Sequence, residues 1–212
     1  MDRSRIAIVI PALNESATIA AVVMAAKKYG VPIVVDDGST DATAELAEQN
    51  GAVVVSHSVN RGYDGALNSG FLMADEIGCD LVITVDADGQ HNPMLIQKFI
   101  DAIDAGADVV VGVRSRKQRL AEHIFAFYTS LRFGIKDPLC GMKAYRIAVF
   151  NALGHFDAYG SVGTELTIFA ARNSYQIKQV LFDVRERQGK SRFGQVFAGN
   201  IKIFRAMLFS IS

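Results

Sequence analysis

Leu81-Val-Ile-Thr-Val85 runs directly into Asp86-Ala-Asp-Gly-Gln90. An apolar run this short, rich in β-branched residues and without polar alternation, reads as a strand covered on both faces. Two carboxylates stand where it ends. The pattern recurs upstream: Ile6–Ile10 leads into Pro11-Ala-Leu-Asn-Glu15, Val31–Val35 into Asp36-Asp-Gly-Ser-Thr-Asp41, and Val53–Val55 towards Asn60-Arg-Gly62. A fifth run covers Val109–Val113, and helix-like segments (Glu15–Lys28, Asp41–Gln49, Asp64–Ile77 and Pro93–Ala105) separate the strands. This alternation predicts an α/β fold: a mostly parallel central sheet with helices on both faces and right-handed crossovers. Ligands of such sheets bind beyond the carboxyl ends of the strands, where the acidic and glycine residues gather here.

Beyond residue 113 the regularity fades. Arg114–Arg119 reads as a basic loop, Leu120–Phe133 as a helix and Lys136–Gly141 as a turn. Gly141–Tyr145 reads as a strand, Thr164–Arg172 as a helix and Ile177–Val184 as a last strand. Phe197, Ile201, Phe204 and Leu208 then form one helical stripe. With no repeat or linker, residues 1–194 are expected to form one domain. Residues 195–212 are expected to form an amphipathic helix packed on that domain, on a partner or homo-oligomer, or on a membrane surface.

The chain has 212 residues, half of them apolar, with 22 Lys and Arg balancing 22 Asp and Glu. A balanced charge provides no global field to draw nucleic acid, so an anionic ligand needs a local cluster. Cys79 and Cys140 form no CxxC pair, which fits a reducing compartment. Ile6–Ile10 is too short for a signal-peptide core, and no segment reaches the ~18 apolar residues of a membrane span. A cytoplasmic location is expected, with peripheral contact at the cytoplasmic membrane face if the last helix rests there.

In an extended segment Asp86 and Asp88 face the same side, so both can converge on one hard cation, with Gln90 adding a carbonyl oxygen. Mg2+ and Mn2+ favour such ligands, shared with substrate phosphates. Of the adjacent Asp36 and Asp37, one can accept hydrogen bonds from a base or ribose. Ser39 or Thr40 suits a helix cap, as does Asn14. Gly62, Ala66, Gly70 and Ala74 repeat a small residue every four positions, a smooth face for close packing. There is no GxGxxG, GxxxxGK[ST], GxSxG or HExxH motif, so a diphosphate here needs a metal rather than a glycine-rich cradle. Arg114, Arg116, Lys117 and Arg119 form one basic cluster, and Arg185, Arg187, Lys190 and Arg192 another, at least one suited to phosphate. His91 is the one histidine expected near the site.

Taken together, Ile10–Glu15, Val34–Asp41, Asn60–Gly62, Val85–His91, Gly112–Arg114, Asp137–Gly141 and Gly189–Phe193 resemble the family 2 glycosyltransferases of GT-A fold. The resemblance is strongest to the branch of dolichol-phosphate mannosyltransferase and bacterial polyprenyl-phosphate glycosyltransferases. It implies that Pro11, Leu13, Glu15, Val35 and Asp37 contact the nucleoside and that Arg61 belongs to the donor site. It makes Asp86, Ala87, Asp88 and Gln90 the metal and diphosphate motif, with Arg114 a phosphate-binding arginine. Arg192 and Arg187 are placed by it near a donor or acceptor phosphate. Between Gly112 and Asp137 the chain is shorter than its relatives, and Arg119 is the substitute for their second arginine.

The expected reaction is in-line attack of an acceptor oxygen on C1 of a UDP- or GDP-sugar, with inversion, Mg2+ or Mn2+ offsetting the charge on the leaving diphosphate. A polyprenyl or dolichyl phosphate is dianionic near neutral pH and needs no base. A sugar hydroxyl needs one, and Glu165 is the candidate, although it equally suits a first-turn helix acid. The rival readings are a nucleotidyltransferase and a non-catalytic nucleotide-sugar-binding protein.

Overall fold

The computed structural model describes residues 2–89, 94–115, 120–158, 160–161 and 163–183. Strands β1 (Ile6–Ala12), β2 (Val31–Asp36), β3 (Val53–Ser56), β4 (Leu81–Thr84) and β5 (Val109–Arg114) follow the apolar runs. Between them lie α1 (Ile19–Ala26), α2 (Thr43–Gln49), α3 (Gly62–Glu76) and α4 (Met94–Asp104). Then come α5 (Leu120–Phe133), β6 (Lys143–Arg146), α6 (Ile147–Leu153), α7 (Glu165–Arg172) and β7 (Ile177–Phe182).

The seven strands form one sheet in the order β3-β2-β1-β4-β6-β5-β7. Every neighbouring pair is parallel except the two made by β6, which runs antiparallel between β4 and β5. The α/β, mostly parallel expectation therefore holds. The reversal of β6 and the helix α6 were not foreseen. α6 ends on Gly154 at φ 86°, a left-handed position that suits glycine.

Two local expectations are corrected. Asn14 does not cap α1, which starts later with Thr18 as its N-cap. Asn14 sits at φ 49°, and its Oδ1 accepts from the Thr40 amide at 2.7 Å while Ser39 Oγ accepts from the Asn14 amide at 2.8 Å. Ser39 and Thr40 thus tie the β1–α1 and β2–α2 loops together, and Asp41 serves the start of α2 by accepting from the Thr43 amide. The other correction is that β4 stops at Thr84 and the chain turns at Ala87–Asp88. Strand alternation therefore does not set the relation between Asp86 and Asp88.

The sheet separates two apolar layers. Ile6, Ile8 and Ile10 pack with Ile19 and Val23 of α1 and with Ile96, Phe99 and Ile103 of α4. Ala7 and Val9 point the other way, towards Leu67 and Phe71 of α3, Tyr145, Phe150 and Phe156. The Phe71 ring lies 4.9 Å from that of Phe156 and 5.7 Å from that of Tyr145. The small-residue ladder of α3 lets this helix press onto β1 and β2. A Cβ on Gly70 would come within 2.3 Å of Val9 Cγ1 and 3.3 Å of Val35 Cγ2. No helix among the described residues is long and apolar enough to cross a membrane. Gln90, His91, Arg116, Lys117, Arg119, Arg185, Arg187, Lys190, Arg192 and the expected helix beyond Gln195 lie outside the described residues.

Gly70→Ala separates packing from helix propensity. Propensity alone would stabilise α3 by about 1 kcal/mol, but the methyl must displace Val9, and overpacking of this kind costs about 1–3 kcal/mol. Urea denaturation should show net destabilisation.

Candidate functional site

The antiparallel β6 brings the turn before it to the carboxyl end of β4. Thr84 Oγ1 donates to the Gly141 carbonyl at 2.6 Å and accepts from the Lys143 amide at 3.0 Å. Asp86, two residues on, then lies flat against Gly141. A Cβ there would come within 2.6 Å of one carboxylate oxygen and 2.8 Å of the other. A side chain at position 141 would have to displace the Asp86 carboxylate, which is half-buried at the sheet edge. Ala87 is buried, and Asp88 is 7 % exposed. Two hard carboxylate oxygen donors in a turn suit Mg2+ or Mn2+ that draws its remaining ligands from phosphate and water. No third Asp, Glu, His or Cys completes a protein cage among the described residues.

The loops after β1 and β2 form the neighbouring wall. Pro11, Leu13 and Glu15 are each partly exposed there, and the Glu15 amide donates to Thr43 Oγ1 at 2.8 Å. Val35 is fully buried among the α3 contacts, so its side chain serves the core. Asp37 is also occupied from within. Its Oδ1 accepts from His57 Nδ1 at 2.7 Å and the Arg61 amide at 2.8 Å, and its Oδ2 accepts from the Gly62 amide at 2.8 Å. An ionised carboxylate only accepts, so His57 Nδ1 carries the proton. His57 Nε2 meets Ser69 Oγ at 2.9 Å. This carboxylate faces the positive end of α3 and fixes the exposed Arg61 at its entry. Asp36 Oδ1 accepts from the Ser39 amide at 3.2 Å.

Arg114 ends β5 as a clamped guanidinium. Its Nε and Nη2 donate to the two oxygens of Asp137 at 2.8 and 2.9 Å, and Nη2 also reaches Glu122 at 3.2 Å. Burial opposes the charge, but Asp137 and Glu122 more than offset it and hold the pKa above the ordinary arginine value. The residue expected to grip phosphate therefore joins β5, α5 and the turn before β6, with Nη1 having no partner among the described residues. Glu165 is similarly engaged: Oε1 meets His155 Nε2 at 2.9 Å, and Oε2 accepts from the Ala158 amide at 2.6 Å. Thr164 is the N-cap of α7 without a capping bond from its side chain, and Ser161 Oγ accepts from the Glu165 amide at 2.8 Å.

Sequence reasoning passed over Lys143. It is 3 % exposed, its Nζ donates to the Gly163 carbonyl, and burial pushes its pKa down to about 8 despite Asp137, Asp64 and Asp157 nearby. A lysine within the apolar strand signal, next to Gly141, was the available clue.

Comparison with known proteins identifies the family. Residues 7–163, more than half of the chain, match the model of Glycosyl transferase family 2. An uncharacterised protein of Methanocaldococcus jannaschii is 30 % identical over 98 % of this chain and 93 % of its own length. A dolichyl-phosphate hexose transferase of Haloferax volcanii is 31 % identical over 83 % of this chain and 79 % of its own. An undecaprenyl-phosphate 4-deoxy-4-formamido-L-arabinose transferase of Edwardsiella ictaluri is 32 % identical over 89 % of this chain, which spans 63 % of that enzyme. Among solved structures, glucosyl-3-phosphoglycerate synthase from Mycobacterium tuberculosis with Mn2+, UDP and phosphoglyceric acid superposes with a TM-score of 0.79 at 25 % identity. That alignment covers 98 % of this chain and 78 % of the synthase. The chain belongs to glycosyl transferase family 2 and has the GT-A fold of a glycosyltransferase.

Two outcomes follow from the buried polar groups. Asp37→Asn places an amide among three donors and should cost about 1–3 kcal/mol in denaturant unfolding. For Lys143 the folded pKa lies below the unfolded one, so the unfolded chain holds the extra proton between about pH 8 and 10.5. Stability therefore rises with pH there. The Cys140 thiol, pushed up to about 12 from 9.0 by burial, acts oppositely above pH 9. Between pH 8 and 9 the wild type should gain about 1 kcal/mol relative to Lys143→Met, read as the difference in unfolding free energy.

Proposed function

We propose that this glycosyltransferase moves a sugar from a nucleoside diphosphate sugar (UDP- or GDP-linked) to a polyprenyl or dolichyl phosphate at the cytoplasmic face of a membrane. Asp86 and Asp88, with Gln90, hold Mg2+ or Mn2+ at the donor diphosphate; the ion, when bound, offsets charge on the leaving group. Pro11, Leu13, Glu15 and the Val35 backbone border the nucleoside. Asp37, which also fixes the Arg61 amide, is assigned to the nucleoside beside them. Arg119, Arg187 and Arg192 are assigned to phosphate, and Arg114 contributes through Nη1 while holding the frame.

The observation that carries the acceptor assignment is the engagement of Glu165. With one oxygen on His155 and the other on the Ala158 amide, the carboxylate is committed to holding the loop before α7. An acceptor phosphate is already dianionic near neutral pH and asks for no base. The dolichyl- and undecaprenyl-phosphate transferases among the relatives support the same choice. A second reading has its own support: the Mycobacterium tuberculosis synthase is named for a small phosphorylated acid rather than a lipid. In that case the acceptor is a hydroxyl, and Glu165 must leave His155 to take its proton.

Assays of UDP- and GDP-sugars with Mn2+ against a short-chain polyprenyl phosphate and against phosphoglycerate separate the two. With lipid phosphate as acceptor, Glu165→Gln should keep most activity. A loss of ~10²–10⁴-fold, together with turnover of the hydroxyl acceptor alone, would establish the second reading. Asp88→Ala should leave the circular dichroism spectrum unchanged and remove Mn2+-dependent UDP binding in calorimetry; unchanged affinity would refute the metal assignment.

A further inference from the structure

One helix carries an apolar surface that no other element among the described residues covers. Along α5, Leu120 (75 % exposed), Ile124 (40 %), Phe127 (72 %) and Leu131 (80 %) follow one another at four, three and four residues. At 100° per residue they fall in a strip about 60° wide. The opposite face is already satisfied. Ala121 and Phe125 pack on Ile168 of α7, and Thr129 Oγ1 donates to the Ile135 carbonyl at 2.8 Å. Isolated exposed apolar residues are ordinary, but a continuous row is not. Four of the ten large exposed hydrophobic side chains of the described residues stand in this row.

The charges around the row select its occupant. Residues 115–136 contain five Lys and Arg: Arg116, Lys117 and Arg119 before the helix, Arg132 and Lys136 at and beyond its end. Arg132 and Lys136 are both exposed. The single acid in that span, Glu122, is buried and bound to Arg114. An apolar strip bracketed by cations and free of exposed acid, in a chain of zero net charge, matches an anionic lipid surface. A parallel pairing with a second copy is disfavoured, because it sets Arg132 and Lys136 against their own counterparts.

We propose that the exposed face of α5 docks this protein on an anionic bilayer, with Ile124, Phe127 and Leu131 entering the headgroup boundary and Arg132 and Lys136 meeting lipid phosphates. Docking rests on the reading that the acceptor is held in a membrane, and it suits that reading: α5 begins six residues after Arg114, at the sheet edge where Asp86 and Asp137 lie.

Flotation of the full chain tests it. Wild type should rise with vesicles containing phosphatidylglycerol, remain below with pure phosphatidylcholine, and lose binding as salt increases. The double substitution Phe127→Glu with Leu131→Glu alters exposed side chains only, so its circular dichroism and UDP binding should match wild type while vesicle-bound protein falls ~10-fold or more. Equal flotation of variant and wild type, or none by either, overturns the proposal. So does a wild-type dimer in light scattering that the variant converts to monomer, which would make this face an interface between copies. Transfer to a water-soluble short-chain polyprenyl phosphate keeps the two ideas apart. Intact transfer without flotation discards docking alone, whereas flotation without transfer to any lipid phosphate discards the acceptor reading.

Discussion

The reversed strand β6 is the constraint on which the site depends. Were the whole sheet parallel, the residues before a strand would emerge at the amino edge, far from the ligand side. Because β6 runs antiparallel between β4 and β5, its leading turn arrives at their carboxyl ends. It delivers Gly141 to Asp86 and Asp137 to Arg114 in one step. Thr84 secures the junction, since its hydroxyl lies between the Gly141 carbonyl and the Lys143 amide.

Around that junction most charged groups are already matched. Asp137 and Glu122 hold Arg114, Asp37 holds His57 and the entry of α3, and Glu165 holds His155. Such pairs fix side-chain orientation before any substrate arrives, which is the part of electrostatic catalysis a protein supplies in advance. They also explain why a basic or acidic residue at a strand end is a poor guide to ligand contact. A carboxylate at the mouth of a helix, such as Asp37, answers the helix first.

The fold was legible because burial on two faces leaves a plain mark. The runs Ile6–Ile10 and Val109–Val113 allow little besides inner strands, and Leu120–Phe133 emerged as a helix with the limits its pattern suggested. What could not be read depends on partners distant in the chain. Nothing local says that Arg114 will meet Asp137 twenty-three residues later, or that Asn14 will bond to Thr40 rather than cap its own helix. The Asp86-Ala-Asp-Gly89 segment does carry turn-forming residues, but composition alone does not say at which residue the strand stops and the turn begins. The donor motif was therefore visible as a set of residue types, while its geometry was not.

The division of the apolar interior by the sheet has its own consequence. Ile8 and Val9 are neighbours in sequence, yet each belongs to a different layer with its own helices. Substitutions that share no packing partner generally combine additively, and those within one cluster do not. A change at Phe99 under α4 and another at Phe71 under α3 belong to separate ensembles of contacts. Compensation for a defect on one side must come from the same side, so divergence among relatives at these positions is best read as two sets of linked exchanges.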